Sequence, residues 1–96
     1  MGRSPDEHHW EWGDDVVVCY LHRYPDKPIG LSDAEICSLL GITSGALGYR
    51  KGNFKAVEGA GGFKNPAELT KLVHQALTGL PEPLHRAQAL AILRWK

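Results

Sequence analysis

An all-α single domain is the fold this chain predicts, and three observations predict it. Apolar residues recur at helical spacing in several separate stretches. Ser, Thr and Asn stand where helix starts need caps. No convincing pair of strands is present. The expected architecture is four or five helices around a helix-turn-helix core, with a small wing at 59–64 as the alternative to a plain loop there. A length of 96 residues suits one domain, and such a domain buries only roughly 60–70% of its unfolded surface, so its core is modest.

Residues 1–11 read as an acidic arm without periodicity, ahead of a helical domain at 12–96. Trp10 and Trp12 are placed to pin the end of that arm. In "GDDVVVCYLHRY", Val17, Tyr20, Leu21 and Tyr24 fall at i, i+3, i+4 and i+7 and predict one buried helical face. Asp14 and Asp15 at its start and Arg23 near its end suit the helix dipole. "PDKPIG" then interrupts the chain. In "LSDAEICSLLG", Ser32 and Glu35 have the spacing of a capping box, Leu31 and Ile36 that of a hydrophobic staple, and Gly41 is the expected stop. Ile36, Leu39 and Leu40 are the apolar face. Thr43 is the N-cap of a third helix after a very short gap, which is the helix-turn-helix pattern. "NPAELTKLVHQALTG" predicts a helix with Asn65 as N-cap and Pro66 at its first position, burying Leu69, Leu72, Val73, Ala76 and Leu77. "PEPLHRAQALAILRWK" predicts a last helix burying Leu84, Ala87, Ala91, Ile92 and Trp95.

Composition narrows the function classes. Eleven basic and eleven acidic residues give zero net charge, which argues against strong general affinity for polyanions. The charge is uneven, however: residues 1–15 hold five carboxylates against Arg3 alone, and residues 48–64 hold Arg50, Lys51, Lys55 and Lys64 against Glu58 alone. Cys19 and Cys37 lie in apolar surroundings, form no Cys-x-x-Cys and read as buried free thiols. The five histidines lack zinc spacing. "GAGGFKN" lacks the Gly-Lys-Ser/Thr ending and the preceding strand of a phosphate loop, while Ser32 and Ser44 look like capping and surface residues. A non-catalytic protein without metal or cofactor is therefore expected. No apolar run approaches the roughly 18 residues of a membrane span, and the first residues lack the apolar stretch of a secretory signal, so the expectation is a cytoplasmic protein with no membrane partner.

"TSGALGYRKGNF", residues 43–54, is the informative segment, because each glycine inside a helix costs about 1 kcal/mol relative to alanine. With Leu47 and Phe54 toward the core, the opposite side carries Ser44, Gly45, Gly48, Tyr49, Lys51 and Gly52. Glycines there let a phosphate or a backbone approach closely. Ser44, Tyr49 and Lys51 are candidates for base or backbone contacts, and Arg50, Lys55 and Lys64 for holding phosphates. The first-turn N–H groups attract anions. Asn53 either reads a base or braces the helix end. The competing explanation of the glycines is tight helix–helix packing, or a helix that ends near Gly52.

Trp12, the acidic pair after it, "CYLHRY", "LSDAEICSLLG", "TSGALGYRKGNF", the glycine cluster and "FKNPAELTKLVHQAL" resemble, in that order, the small N-terminal domain that precedes the nuclease domain of many prokaryotic HNH restriction-type endonucleases. The matching positions are Trp12, Tyr20, Leu40, Gly41, Gly45, Arg50 or Lys51, Asn53, Phe54 and Asn65, over roughly residues 12–77. The resemblance implies a DNA-binding helix-turn-helix role in restriction or phage defence, in a prokaryotic or phage setting. Ile42 departs from it, standing where those proteins often carry a basic residue, and the resemblance covers none of the nuclease domain, so cleavage is not implied. The expected partner is duplex DNA. The alternative is a protein-interaction module, an adaptor or modulator of a defence complex, whose small-residue face docks a protein partner or a second copy, with Trp10, Trp12 and Trp95 as anchors.

Overall fold

Seven successive buried residues, Asp14 to Tyr20, mark the first helix as the centre of the molecule, since a helix enclosed on every side belongs in a core. The computed structural model describes residues 8–27, 29–60 and 66–96. Its elements are α1 (Trp12–Arg23), α2 (Asp33–Leu40), α3 (Ser44–Val57), α4 (Glu68–Leu77) and α5 (Glu82–Trp95), an all-α fold with no strand among the described residues. α1 packs against α3, α4 and α5; α3 also meets α4, and α2 bridges α3 and α5. Val16, Val17, Val18, Cys19 and Tyr20 are joined in the core by Ile36, Leu40, Leu47, Phe54, Val73, Ala89 and Leu93.

The α2–α3 corner follows from local chemistry. Ser32 Oγ accepts the Glu35 N–H at 3.1 Å, and Glu35 Oε1 accepts the Ser32 N–H at 3.1 Å, which closes the capping box. Gly41 ends α2 in the left-handed conformation at φ 74°, where a side chain would be strained. Thr43 Oγ1 accepts the Ala46 N–H at 3.0 Å and starts α3. Two helices are thus locked on either side of a three-residue turn, residues 41–43.

Several expected faces are corrected. α1 buries far more than one stripe, while Leu21 and Tyr24 are only half-buried, because helices cover it on several sides. Cys37, not Leu39, completes the buried face of α2. α4 begins at Glu68 with Ala67 as its cap, two residues past Pro66; the expected cap Asn65 lies outside the described residues. It buries Thr70, Val73 and Leu77, leaving Leu72 and Ala76 exposed, since Thr70 turns inward to a buried carboxylate of α1. α5 is rotated from the expected stripe: His85, Ala89 and Leu93 are buried, whereas Leu84, Ala87, Ala91 and Trp95 are exposed. The polar anchor His85 sets that rotation, its Nε2 lying 3.0 Å from the Val16 carbonyl oxygen. Residues 1–7 of the arm, and residues 61–64 of the expected wing, lie outside the described residues.

Candidate nucleic-acid interface

The long α3 has two unlike sides. Ala46, Leu47, Arg50, Asn53 and Phe54 are buried, while Ser44, Gly45, Gly48, Tyr49 and Lys55 are exposed and Lys51 and Gly52 are half-buried. Positions 45, 48, 52 and 55 succeed one another by three and four residues and so share one helical face. A Cβ built on Gly48 would meet nothing within 4 Å, and one on Gly45 only the Thr43 hydroxyl at 3.8 Å. These two glycines are therefore not required for packing inside the fold, and α3 runs past Gly52 to Val57. They leave a stretch of bare helix surface edged by Ser44, Lys51 and Lys55, with Tyr49, 67% exposed, on its far side.

Arg50 does not belong to that surface, and its expected phosphate contact is corrected. Its side chain turns into the core, where Nε and Nη2 donate to the two oxygens of Asp15, each at 2.7 Å. Asp15 has no exposed surface, Arg50 is 8% exposed, and Thr70 Oγ1 donates to Asp15 Oδ2 at 3.4 Å. Trp10 lies over the guanidinium, 4.5 Å from its carbon to the ring centroid. A carboxylate enclosed by apolar helices needs a partner of opposite charge, and Arg50 is the basic residue of α3 on the inward side. The legible signal was an acidic pair running straight into "VVVCY", which the dipole reading of Asp15 passed over.

Asn53 is likewise internal. Its Nδ2 donates to the Tyr49 carbonyl at 3.2 Å and its Oδ1 accepts the Ala67 N–H at 2.8 Å. It is a brace from α3 to the start of α4, not a base reader. Lys64 lies outside the described residues. The cationic side chains of α3 that reach solvent are thus Lys51 and Lys55, on a helix with no acidic residue.

The end of α3 is held by a cluster the sequence reading missed. Glu58 Oε1 lies 2.9 Å from His22 Nε2 of α1, and Oε2 lies 3.1 Å from His74 Nε2 of α4, with the Phe54 ring beside both imidazoles. Partial burial pushes the Glu58 carboxyl up, but the two histidine hydrogen bonds together outweigh it and leave it below its ordinary value. Spacing offered no clue, since the three residues are far apart in the chain.

Both cysteines are free and buried. Burial pushes the Cys19 thiol up to about 11 and raises Cys37 as well, so neither is poised as a thiolate nucleophile. Among the described residues no group of three or more His, Cys, Asp or Glu side chains is arranged to hold a metal ion. No helix among them is long and apolar enough to cross a membrane. At the opposite end of α1, Trp12 is 47% exposed and Trp95 90% exposed. Lys96 reaches Asp14 Oδ1 at 3.2 Å and Glu11 Oε1 at 3.7 Å, so the two rings belong to one end of the molecule, whereas Trp10 packs on the core. Comparisons with protein-family models, with curated proteins and with solved structures return no match.

Proposed function

We propose that this protein is a non-catalytic DNA-binding domain whose α3 lies along the major groove of a duplex, in the manner of the domain that precedes HNH restriction-type nucleases. The observation that carries the reading is the bare outer face of α3 at Gly45 and Gly48, edged by Lys51 and Lys55 and lacking any carboxylate on the same helix. A helix without side chains at those points comes nearest to a groove wall. Phosphates are met by Lys51, Lys55 and Lys64, and by the first-turn N–H groups that Ser44 and Gly45 bring to α3. Ser44 and Tyr49, both exposed on α3, are the candidates for contacts to base edges.

With Arg50 committed to Asp15, about three lysines remain to neutralise phosphates. The logarithm of the binding constant then falls against log salt with a slope of roughly −2.7. A titration of random duplex at several salt concentrations measures it, and a slope near zero removes the proposal.

A second reading draws on the exposed Trp12 and Trp95, which offer aromatic anchors for a protein partner at the other end of α1. Reversing charge at both Lys51 and Lys55 separates the two. Lys51→Glu with Lys55→Glu abolishes duplex binding under the first reading and leaves a tryptophan-anchored complex intact under the second.

A further inference from the structure

Beside the Lys51 edge of α3 the surface sinks into a recess of about 320 Å³ between the end of α1, the segment after it and the start of α2. Its size is at the lower end of small-molecule sites, roughly 300–1,000 Å³. Its lining combines three kinds of chemistry. Leu21, Ile29 and Tyr24 are its apolar and aromatic lining residues, Lys27 and Lys51 its two cationic ones and Asp33 its one acidic one.

The recess is built on fixed supports. The buried Tyr20 hydroxyl lies 2.6 Å from Glu82 Oε2 and 3.1 Å from the Lys27 carbonyl oxygen, and the Lys27 N–H donates to the Tyr24 carbonyl at 3.0 Å. Asp33 is the first residue of α2, held in place by the Ser32–Glu35 capping box. None of these lining residues has a part in the buried Asp15–Arg50 network.

We infer that this recess is a binding site for a guanine nucleotide, with the base on the apolar wall, its donor edge on Asp33 and its phosphate on Lys27 and Lys51. An ionised carboxylate only accepts hydrogen bonds. Guanine presents a ring N–H and an exocyclic amine side by side, and donates both to it. Uracil and thymine present one N–H between two carbonyl oxygens, which a carboxylate repels. A planar base stacks on an aromatic ring whatever its identity, so Asp33 supplies the selectivity and the two lysines supply charge balance for the phosphate.

The nucleotide has two sources. It is a free nucleoside monophosphate, or a guanosine turned out of a duplex lying on α3; the second source rests on the function proposed above. Lys51 joins the two, because it lines the recess and edges the exposed face of α3.

The full chain titrated with 5′-GMP, 5′-UMP and inorganic phosphate, and followed by amide chemical shifts, tests the site. The expected result is saturable shifts at the amides of Leu21, Tyr24, Lys27, Ile29, Asp33 and Lys51 with GMP, and binding weaker by roughly tenfold with UMP, the scale of losing a bidentate hydrogen-bond pair. Asp33→Asn removes the preference for GMP over UMP, and Lys51→Ala weakens both nucleotides. The Asp33→Asn spectrum with Ser32 and Glu35 amides unmoved confirms that α2 still starts in place. Equal shifts from GMP, UMP and phosphate, or none from any, overturn the proposal.

Two duplexes, one with a guanine opposite an abasic site and one fully paired, then identify the source: tighter binding of the first assigns the base to DNA, and equal binding assigns it to the free nucleotide. Lys55→Glu, outside the recess, tests the DNA reading alone. It removes duplex binding if that reading holds, and GMP binding persists whether or not it does.

Discussion

Asp15, with no surface left to water, decides what Arg50 does. Two 2.7 Å hydrogen bonds in parallel hold the guanidinium, and Thr70 and Trp10 complete its surroundings. Arg50→Met is expected to lose about 3–5 kcal/mol, because the carboxylate stays buried without its cation, while adding Asp15→Leu recovers most of the loss. Denaturant unfolding of the single and double variants measures both. His85 gives a second expectation. It is fully enclosed, and with Nε2 facing the Val16 carbonyl that nitrogen carries the proton, while Nδ1 has no hydrogen-bond partner. Burial lowers its proton affinity below the ordinary value of 6.5, although the bond to Val16 works the other way. The unfolded chain therefore takes up a proton near 6.5 that the folded chain resists, so this residue's contribution to stability falls as pH drops below that value. Comparing unfolding midpoints at pH 7.5 and 5.5 checks it: the drop seen in wild type shrinks in His85→Leu.

α3 shows how one helix serves two demands. Its inner side was legible in part, from Leu47 and Phe54 at a spacing of seven. Its outer side follows from the glycines, and their openness allows a sharp expectation. Gly48→Ala places a methyl group in empty space, so the helix gains up to about 1 kcal/mol in stability. The same methyl group stands off any surface that lies flush on the helix, so duplex affinity falls while the unfolding midpoint rises. Measuring both on one variant separates a docking face from an idle one: affinity unchanged by Gly48→Ala would count against the DNA reading. The α2–α3 corner was the most legible element, since the Ser32–Glu35 box, the Gly41 stop and the Thr43 cap each act within a few residues. The stripes of α4 and α5 were less so. There, Thr70 and His85 point inward to satisfy polar partners on α1, displacing Leu72 and Leu84 from the core.

Across the whole molecule, α1 is the axis and polar ties carry three other helices to it: Arg50 from α3, Thr70 from α4, Glu82 and His85 from α5. The Glu58 clasp is the exposed counterpart, joining α1, the end of α3 and α4 through His22 and His74. Because the Glu58 carboxyl is held below its ordinary value, its contribution to stability is full above about pH 4.5 and is lost as pH falls through the lowered folded-state value. Glu58→Gln is expected to flatten the acid limb of a thermal-stability profile measured between pH 7 and 3. A variant with the same acid limb as wild type would show that the clasp contributes nothing.

What the sequence by itself determined is local: helices started by caps and stopped by glycine, an all-α chain, and a third helix with glycines and lysines on one side. Those features depend on residues within a turn or two of each other. Only the tertiary structure decided which charges are available to a partner. Asp15 and Arg50 are 35 residues apart, and the destination of each follows from the enclosure of α1 by three other helices. The packing of α3 beside α4 likewise took Asn53 from the surface by tying it to Ala67, and the meeting of α1, α3 and α4 set Glu58 between His22 and His74. A buried polar group must find its partner wherever the packed fold provides one, and that search leaves no periodicity in the chain.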